Sequence, residues 1–142
     1  MAAILETKGL SRRFGRIQAV DQVNLLVEEG DIYGFLGLNG AGKTTTIRMI
    51  LRLIRPDSGS VTVFGKEIAG HFIEVMRQVG ALVELPAYYP YLSGHKNLEV
   101  LRLASGGVPR SRFEECLELV GLRSRMHDRV GTYSQGMRQR LA

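Results

Sequence analysis

Between an apolar run, Ile32-Tyr33-Gly34-Phe35-Leu36, and a stretch of helical period, the chain carries Gly37-Leu38-Asn39-Gly40-Ala41-Gly42-Lys43-Thr44. These eight residues fit the spacing G-x-x-x-x-G-K-[ST] without deviation, a pattern that calls for a strand before it, a helix after it and a tight loop between. The glycines let the backbone wrap closely, so that successive N–H groups point inward at an anion, and the following helix adds the positive end of its dipole. Such a loop reads as a cradle for the phosphates of a nucleoside triphosphate. Lys43 would neutralise the β- and γ-phosphates, the Thr44 hydroxyl is a hard oxygen ligand suited to Mg²⁺, and Thr45 is placed to donate to an α-phosphate oxygen. The bland alternative is a glycine turn with an exposed lysine, and the motif leaves the reaction open.

The neighbouring patterns supply elements for this loop to join. Val23, Leu25 and Val27 alternate with other residues up to Glu29-Gly30, which predicts a strand with one buried face; Ile32 to Leu36, apolar on both faces, predicts a central strand. Ile47, Ile50, Leu51 and Ile54 recur at helical spacing and predict an amphipathic helix of about three turns, closed by Pro56-Asp57-Ser58-Gly59. Ser60 to Phe64 and Ala81 to Val83 are further strand candidates. From Pro86 the character changes to a Pro-, Tyr- and Gly-rich loop, after which Phe113, Cys116, Leu117 and Val120 restore the helical period before Gly121. The expected division is a sheet-containing part over about 1–85 and a helical part over about 86–142. Cys116, on the apolar stripe, is expected to be a buried structural thiol.

A chain of 142 residues is long enough to bury a core without disulfides or metal, and its single cysteine cannot form an internal bridge. No run approaches the roughly 18 apolar residues that cross a bilayer, and the opening MAAILETKGLSRR has no secretory character, so the cytosol is the default compartment. The net charge of +5 comes from scattered arginines and needs no nucleic acid to explain it, so none is expected as a partner.

About 90 residues after Lys43 comes Tyr133-Ser134-Gln135-Gly136-Met137-Arg138-Gln139-Arg140-Leu141. This stretch resembles the LSGGQ signature of ABC transporter ATP-binding subunits, with Ser134 and Gly136 retained and Tyr133, Gln135 and Met137 substituted. The resemblance runs from Leu5 to Ala142 and includes the Asn-Gly-Ala-Gly-Lys order of the loop and the PDSGSVTVFGK turn and strand. It implies an α/β fold of the P-loop NTPase, ABC type: a core sheet with a helical subdomain. Ser134 followed by Gln135-Gly136 also reads physically as an N-cap and opening turn, whose hydroxyl and N–H groups form an anion site or merely cap a helix.

The resemblance further implies a site built from two copies, in which Ser134 and Gly136 of one subunit meet the γ-phosphate held by residues 37–45 of another. It places Phe14 where the family stacks an aromatic on adenine, although a core aromatic beside a hairpin would look the same. Glu84 falls at the family's Q-loop glutamine, where a carboxylate can bind Mg²⁺ or position a water; a solvent-exposed loop glutamate is the alternative. The stretch Glu84-Leu85-Pro86-Ala87-Tyr88-Tyr89-Pro90-Tyr91-Leu92 is similar to the branch of bacterial exporters associated with bacitracin and lantibiotics. The implied partners are a transmembrane permease subunit and a second ATP-binding subunit, the cofactors ATP and Mg²⁺, and the location the inner face of the cell membrane, reached through the permease.

The family's acidic strand ending in Asp-Glu and its switch histidine have no counterpart up to Ala142, and His71, His95 and His127 all precede the signature. The expectation is therefore a fold incomplete at its C-terminal end, with apolar surface exposed for want of a sheet neighbour and negligible ATP turnover by this chain alone. Two other functions stay open: a soluble ABC-type ATPase acting on ribosomes or DNA, and a nucleotide binder without hydrolysis.

Overall fold

The computed structural model describes residues 2–83, 87–104 and 109–142, in two units, Met1–Val83 and Glu84–Ala142. In the first unit, strand β1 (Ala3–Phe14) lies between β2 (Ile17–Glu28) and β3 (Ser58–Val63), and the short β4 (Lys66–Glu67) completes an antiparallel sheet in the order β2-β1-β3-β4. β1 is the strand whose pattern the sequence obscures. Its inward residues, Thr7, Leu10 and Ser11, do not alternate, because the register shifts between Thr7 and Leu10. A bulge leaves backbone groups without ladder partners, and polar side chains supply them. Thr7 Oγ1 donates to the Val23 carbonyl at 3.0 Å and accepts from the Leu25 N–H at 2.9 Å. Asn24 Oδ1 accepts from the Gly9 N–H at 2.8 Å, and Ser11 Oγ from the Gln22 N–H at 2.8 Å.

Helix α1 (Lys43–Ile50) is shorter than its apolar spacing predicts, because Arg52 turns left-handed at φ 54° and closes it. Its buried positions are Thr46 and Met49, while Ile47 is exposed. Met49 joins Leu10, Val20, Val61, Val63, Ile68 and Val75 in one core, against which Ile50 and Ile54 pack partly buried. Helix α2 (Ile68–Met76) is kinked at His71, with φ −125°. There the Arg52 guanidinium takes the Ala69 and Ile68 carbonyls, at 2.7 and 3.3 Å, and His71 Nδ1 meets the Glu67 carbonyl at 3.2 Å. Side chains inserted into the hydrogen-bond ladder of the first turn account for the bend.

Two predicted strands are not formed. Residues 31–38 and 81–83 carry no ladder, and Ile32 and Leu36 are 102% and 92% exposed. An apolar strand with both faces greasy is held by strands on either side of it. The antiparallel sheet of the first unit offers none, so apolar surface stands exposed at Ile32, Leu36 and Leu38.

The second unit is helical: α3 (Gly94–Ala104), α4 (Arg110–Leu119), 3₁₀ turns at Arg123–Arg125 and Val130–Thr132, and α5 (Gln135–Leu141). Its core is Leu117, Leu122, Val130, Tyr133 and Leu141. Helix α4 stops as its sequence predicts: Gly121 is left-handed at φ 66°, its N–H bonds the Glu118 carbonyl at 3.0 Å, and the Leu122 N–H bonds that of Leu117 at 2.7 Å. That pair of bonds is a Schellman cap. Phe113 and Leu117 face inward as expected, but Cys116 is exposed. Position 116 lies on the edge of the stripe defined by 113, 117 and 120, which is wide enough to include it only in the periodicity.

The loop before α3 is tied to one buried side chain. The Asn97 amide donates to the Tyr89, Ser93 and Leu92 carbonyls at 3.1, 3.0 and 3.4 Å, and its oxygen accepts from the Tyr89 N–H at 2.9 Å. Beside it, Tyr88 packs on the core with its hydroxyl buried and unpaired, and burial pushes its pKa up to about 12. A buried hydroxyl without a partner costs stability, so Tyr88→Phe is expected to stabilise the protein by about 1 kcal/mol, read as a higher urea midpoint at unchanged slope.

Glu99 on α3 accepts from Arg102 at 3.0 and 3.2 Å and from Arg110, at the start of α4, at 2.9 Å. The Arg102 hydrogen bonds, then that of Arg110, hold its carboxyl down from 4.5 to about 2. A carboxyl lowered by folding contributes stability above its unfolded pKa and loses it as pH falls through the folded value. Between pH 4.5 and about 2, the wild type should therefore lose stability more steeply than Glu99→Gln, in denaturation midpoints taken across that range. Among the described residues no helix is long and apolar enough to cross a membrane.

Candidate functional site

The loop of residues 37–42 turns on a bond from the Ala41 N–H to the Leu38 carbonyl at 3.1 Å, and enters α1 through Gly42, left-handed at φ 87°. Gly42 also sits against the hairpin of β1 and β2. A Cβ there would lie 2.2 Å from the Ala19 carbonyl oxygen and 3.1 Å from Val20 Cγ2, so only glycine passes. The Gly42 carbonyl takes both the Thr46 N–H at 2.8 Å and the Thr46 hydroxyl at 3.0 Å. Thr46 is thereby turned into the core, while Thr44 and Thr45 line a cleft of about 230 Å³ with Ala19, Asn39, Gly40, Gly42 and Lys43.

The electrostatics of this cleft are one-sided. The first N–H groups of a helix have no intrahelical acceptor, and the first turn of α1 contains no acidic residue to offset them. Lys43 folds back over the loop, its ammonium donating to the Gly37 and Leu38 carbonyls at 2.6 and 2.7 Å. The N-terminus of α1, with its free N–H groups and dipole, thus adjoins a concave surface that Lys43 also lines, an arrangement suited to an oxyanion. Thr44 is on the same lining, and a threonine hydroxyl is a hard oxygen of the kind Mg²⁺ takes. Among the described residues no three His, Cys, Asp or Glu are grouped to hold a metal.

The other predicted residues fall as follows. Phe14 ends β1, 43% exposed, on the hairpin that carries Ala19 but outside the cleft lining. Glu84 lies outside the described residues. In the second unit, Ser134 caps α5, its Oγ accepting from the Met137 N–H at 3.2 Å, and Gly136 follows with open space around its α-carbon. Tyr133, which replaces the signature's leucine, is buried in the core and donates to the Arg125 carbonyl at 2.7 Å. Two residues had no signal of their own: Ala19, which lines the cleft, and Thr46, the third of three threonines, which faces the core and ties the first turn of α1 to the Gly42 carbonyl.

Comparison with known proteins agrees with this geometry. The bacitracin transport ATP-binding protein BcrA of Bacillus licheniformis is 43% identical over 141 residues, 99% of this chain and 46% of that protein. The daunorubicin/doxorubicin resistance ATP-binding protein DrrA of Streptomyces peucetius is 37% identical over 140 residues, covering 96% of this chain and 42% of its own. The chain thus spans about half the length of these curated relatives. A solved ATP-binding subunit of an ABC transporter matches with a TM-score of 0.80 at 29% identity, over 97% of this chain and 59% of that one. Residues 20–142 match the model of the ABC transporter family, to which this chain belongs.

Proposed function

We propose that this chain provides the phosphate-gripping part of an ATP-binding subunit that couples ATP binding and hydrolysis to export through a partner membrane subunit. The observation that carries this reading is the cleft at the start of α1, which Lys43 and the helix N-terminus line, with no carboxylate on that lining among the described residues. In it, the N–H groups of residues 39–45 and the Lys43 ammonium hold the β- and γ-phosphates, Thr45 donates to an α-phosphate oxygen, and Thr44 supplies one oxygen to Mg²⁺. Phe14 stacks on the base. Glu84 takes the place near the metal that the resemblance gives it.

The second half of the site is assigned to another copy, whose Ser134 and Gly136 cap the γ-phosphate. The bareness around Gly136 supports this: no described residue comes within 4 Å of where a Cβ would stand, and glycine leaves room for a close external approach. Relatives named for bacitracin transport and for daunorubicin/doxorubicin resistance favour export as the process driven. In this reading the subunit lies on the cytoplasmic face of the membrane, attached through the permease. Calorimetric titration of the purified protein with MgATP tests the central claim: a saturable heat is expected, and its absence up to millimolar nucleotide overturns it.

A further inference from the structure

Asp57, in the turn before β3, reaches across to the end of β1. Its Oδ1 accepts from Arg12 Nη1 at 2.5 Å and its Oδ2 from the Arg13 N–H at 2.7 Å. Its own N–H donates to the Ser11 carbonyl at 2.9 Å. Arg12 held in this way places its guanidinium carbon 5.0 Å from the centre of the Phe14 ring. The register shifts between Arg12 and Arg13, so it is the bond to Asp57, rather than regular alternation, that fixes the arginine over the ring. One side of the ring is covered by a cation, and the residue as a whole remains 43% exposed.

The same hairpin leads to the phosphate cleft. Phe14 pairs with Ile17 and Arg12 with Val20, and Ala19 between them lines the cleft. Ala19 is the unpaired residue at the register shift between Gln18 and Val20, two residues from Ile17 and so at most about 7 Å along the chain. We infer that Arg12, pinned by Asp57, is a positioning residue for nucleotide binding: it braces Phe14 from one side so that the opposite face of the ring receives the base. This rests on the reading of residues 37–45 as a triphosphate site and of Phe14 as its base platform. The arginine acts by two routes. It restricts the rotation of the ring, so less conformational freedom is lost when a base stacks, and it draws electron density from the ring, which favours the electron-rich face of a purine.

The test separates base from phosphate by titrating the protein with MgATP and, in parallel, with magnesium tripolyphosphate. Wild type is expected to bind MgATP more tightly than tripolyphosphate, and Phe14→Ala to weaken MgATP alone, about tenfold. Arg12→Ala should weaken MgATP about threefold and leave tripolyphosphate unchanged, Arg12→Lys should restore part of the loss, and Asp57→Asn should fall in the same direction as Arg12→Ala. Arg12→Ala added to Phe14→Ala should cost nothing further. Equal weakening of both ligands by Arg12→Ala, as a merely structural role would give, overturns the inference, as does no weakening of either. A wild type that takes up both ligands equally removes the base platform and this inference with it, while leaving the phosphate site standing. A wild type that binds neither defeats the phosphate site as well.

Discussion

Lys43→Ala weakens MgATP binding about 100-fold, the expected consequence of losing one charge-assisted hydrogen-bonding group worth about 2–3 kcal/mol, while the protein stays folded. The two halves of that expectation have different sources. Binding is lost because, among the described residues, the lysine is the only cationic one on the cleft lining, and the helix dipole alone contributes less than a full charge. Folding is kept because, among the described residues, the ammonium donates to the Gly37 and Leu38 carbonyls of its own loop, which water can take over. Titration calorimetry and a melting curve on the same sample separate these effects, the midpoint shifting by no more than about 3 °C. A variant that binds MgATP like the parent would show that this lysine does not sit on a phosphate.

Gly42→Ala does the reverse, damaging the scaffold first and the site as a result. Alanine at φ 87° is strained, and its Cβ would stand 2.2 Å from the Ala19 carbonyl oxygen. The obstructing atom belongs to the backbone of β2, not to the movable end of a side chain, so either the loop or the hairpin must shift. Left-handed strain of about 1–2 kcal/mol together with the overlap gives an expected destabilisation of about 3 kcal/mol, visible as a lowered urea midpoint. Because Ala19 also lines the cleft, MgATP affinity should fall as well. An unchanged midpoint would mean that hairpin and loop do not touch.

The phosphate loop was legible because its physics is local: a glycine spacing, a lysine and hydroxyls within nine consecutive residues. Ser134 was legible for the same reason, as a cap needs only its own turn. What escaped the sequence depends on distant segments. The alternation of β1 is broken at a bulge that Thr7, Ser11 and Asn24 repair from the side, and no periodicity survives it. The run Ile32 to Leu36 has the composition of a central strand, but strand formation is decided by neighbours, and the sheet of this unit has none to give it. Ile47 was placed on the buried face of α1 by spacing alone, whereas the inward bond of Thr46 to Gly42 rotates the face toward Thr46 and Met49. Arg12 and Asp57 lie 45 residues apart, and neither string hints at the other.

The Asn97 side chain has a consequence for how this surface can vary over time. Four bonds from one amide reach the first, fourth and fifth residues of the Tyr89–Ser93 segment, so an inserted or deleted residue would leave a buried amide facing the wrong atoms. The rings of Tyr89 and Tyr91, carried on that segment and open to solvent, are free to be exchanged for other side chains, but the spacing beneath them is not. Change here is confined to what the surface displays, while the measure of chain that displays it is locked to helix α3.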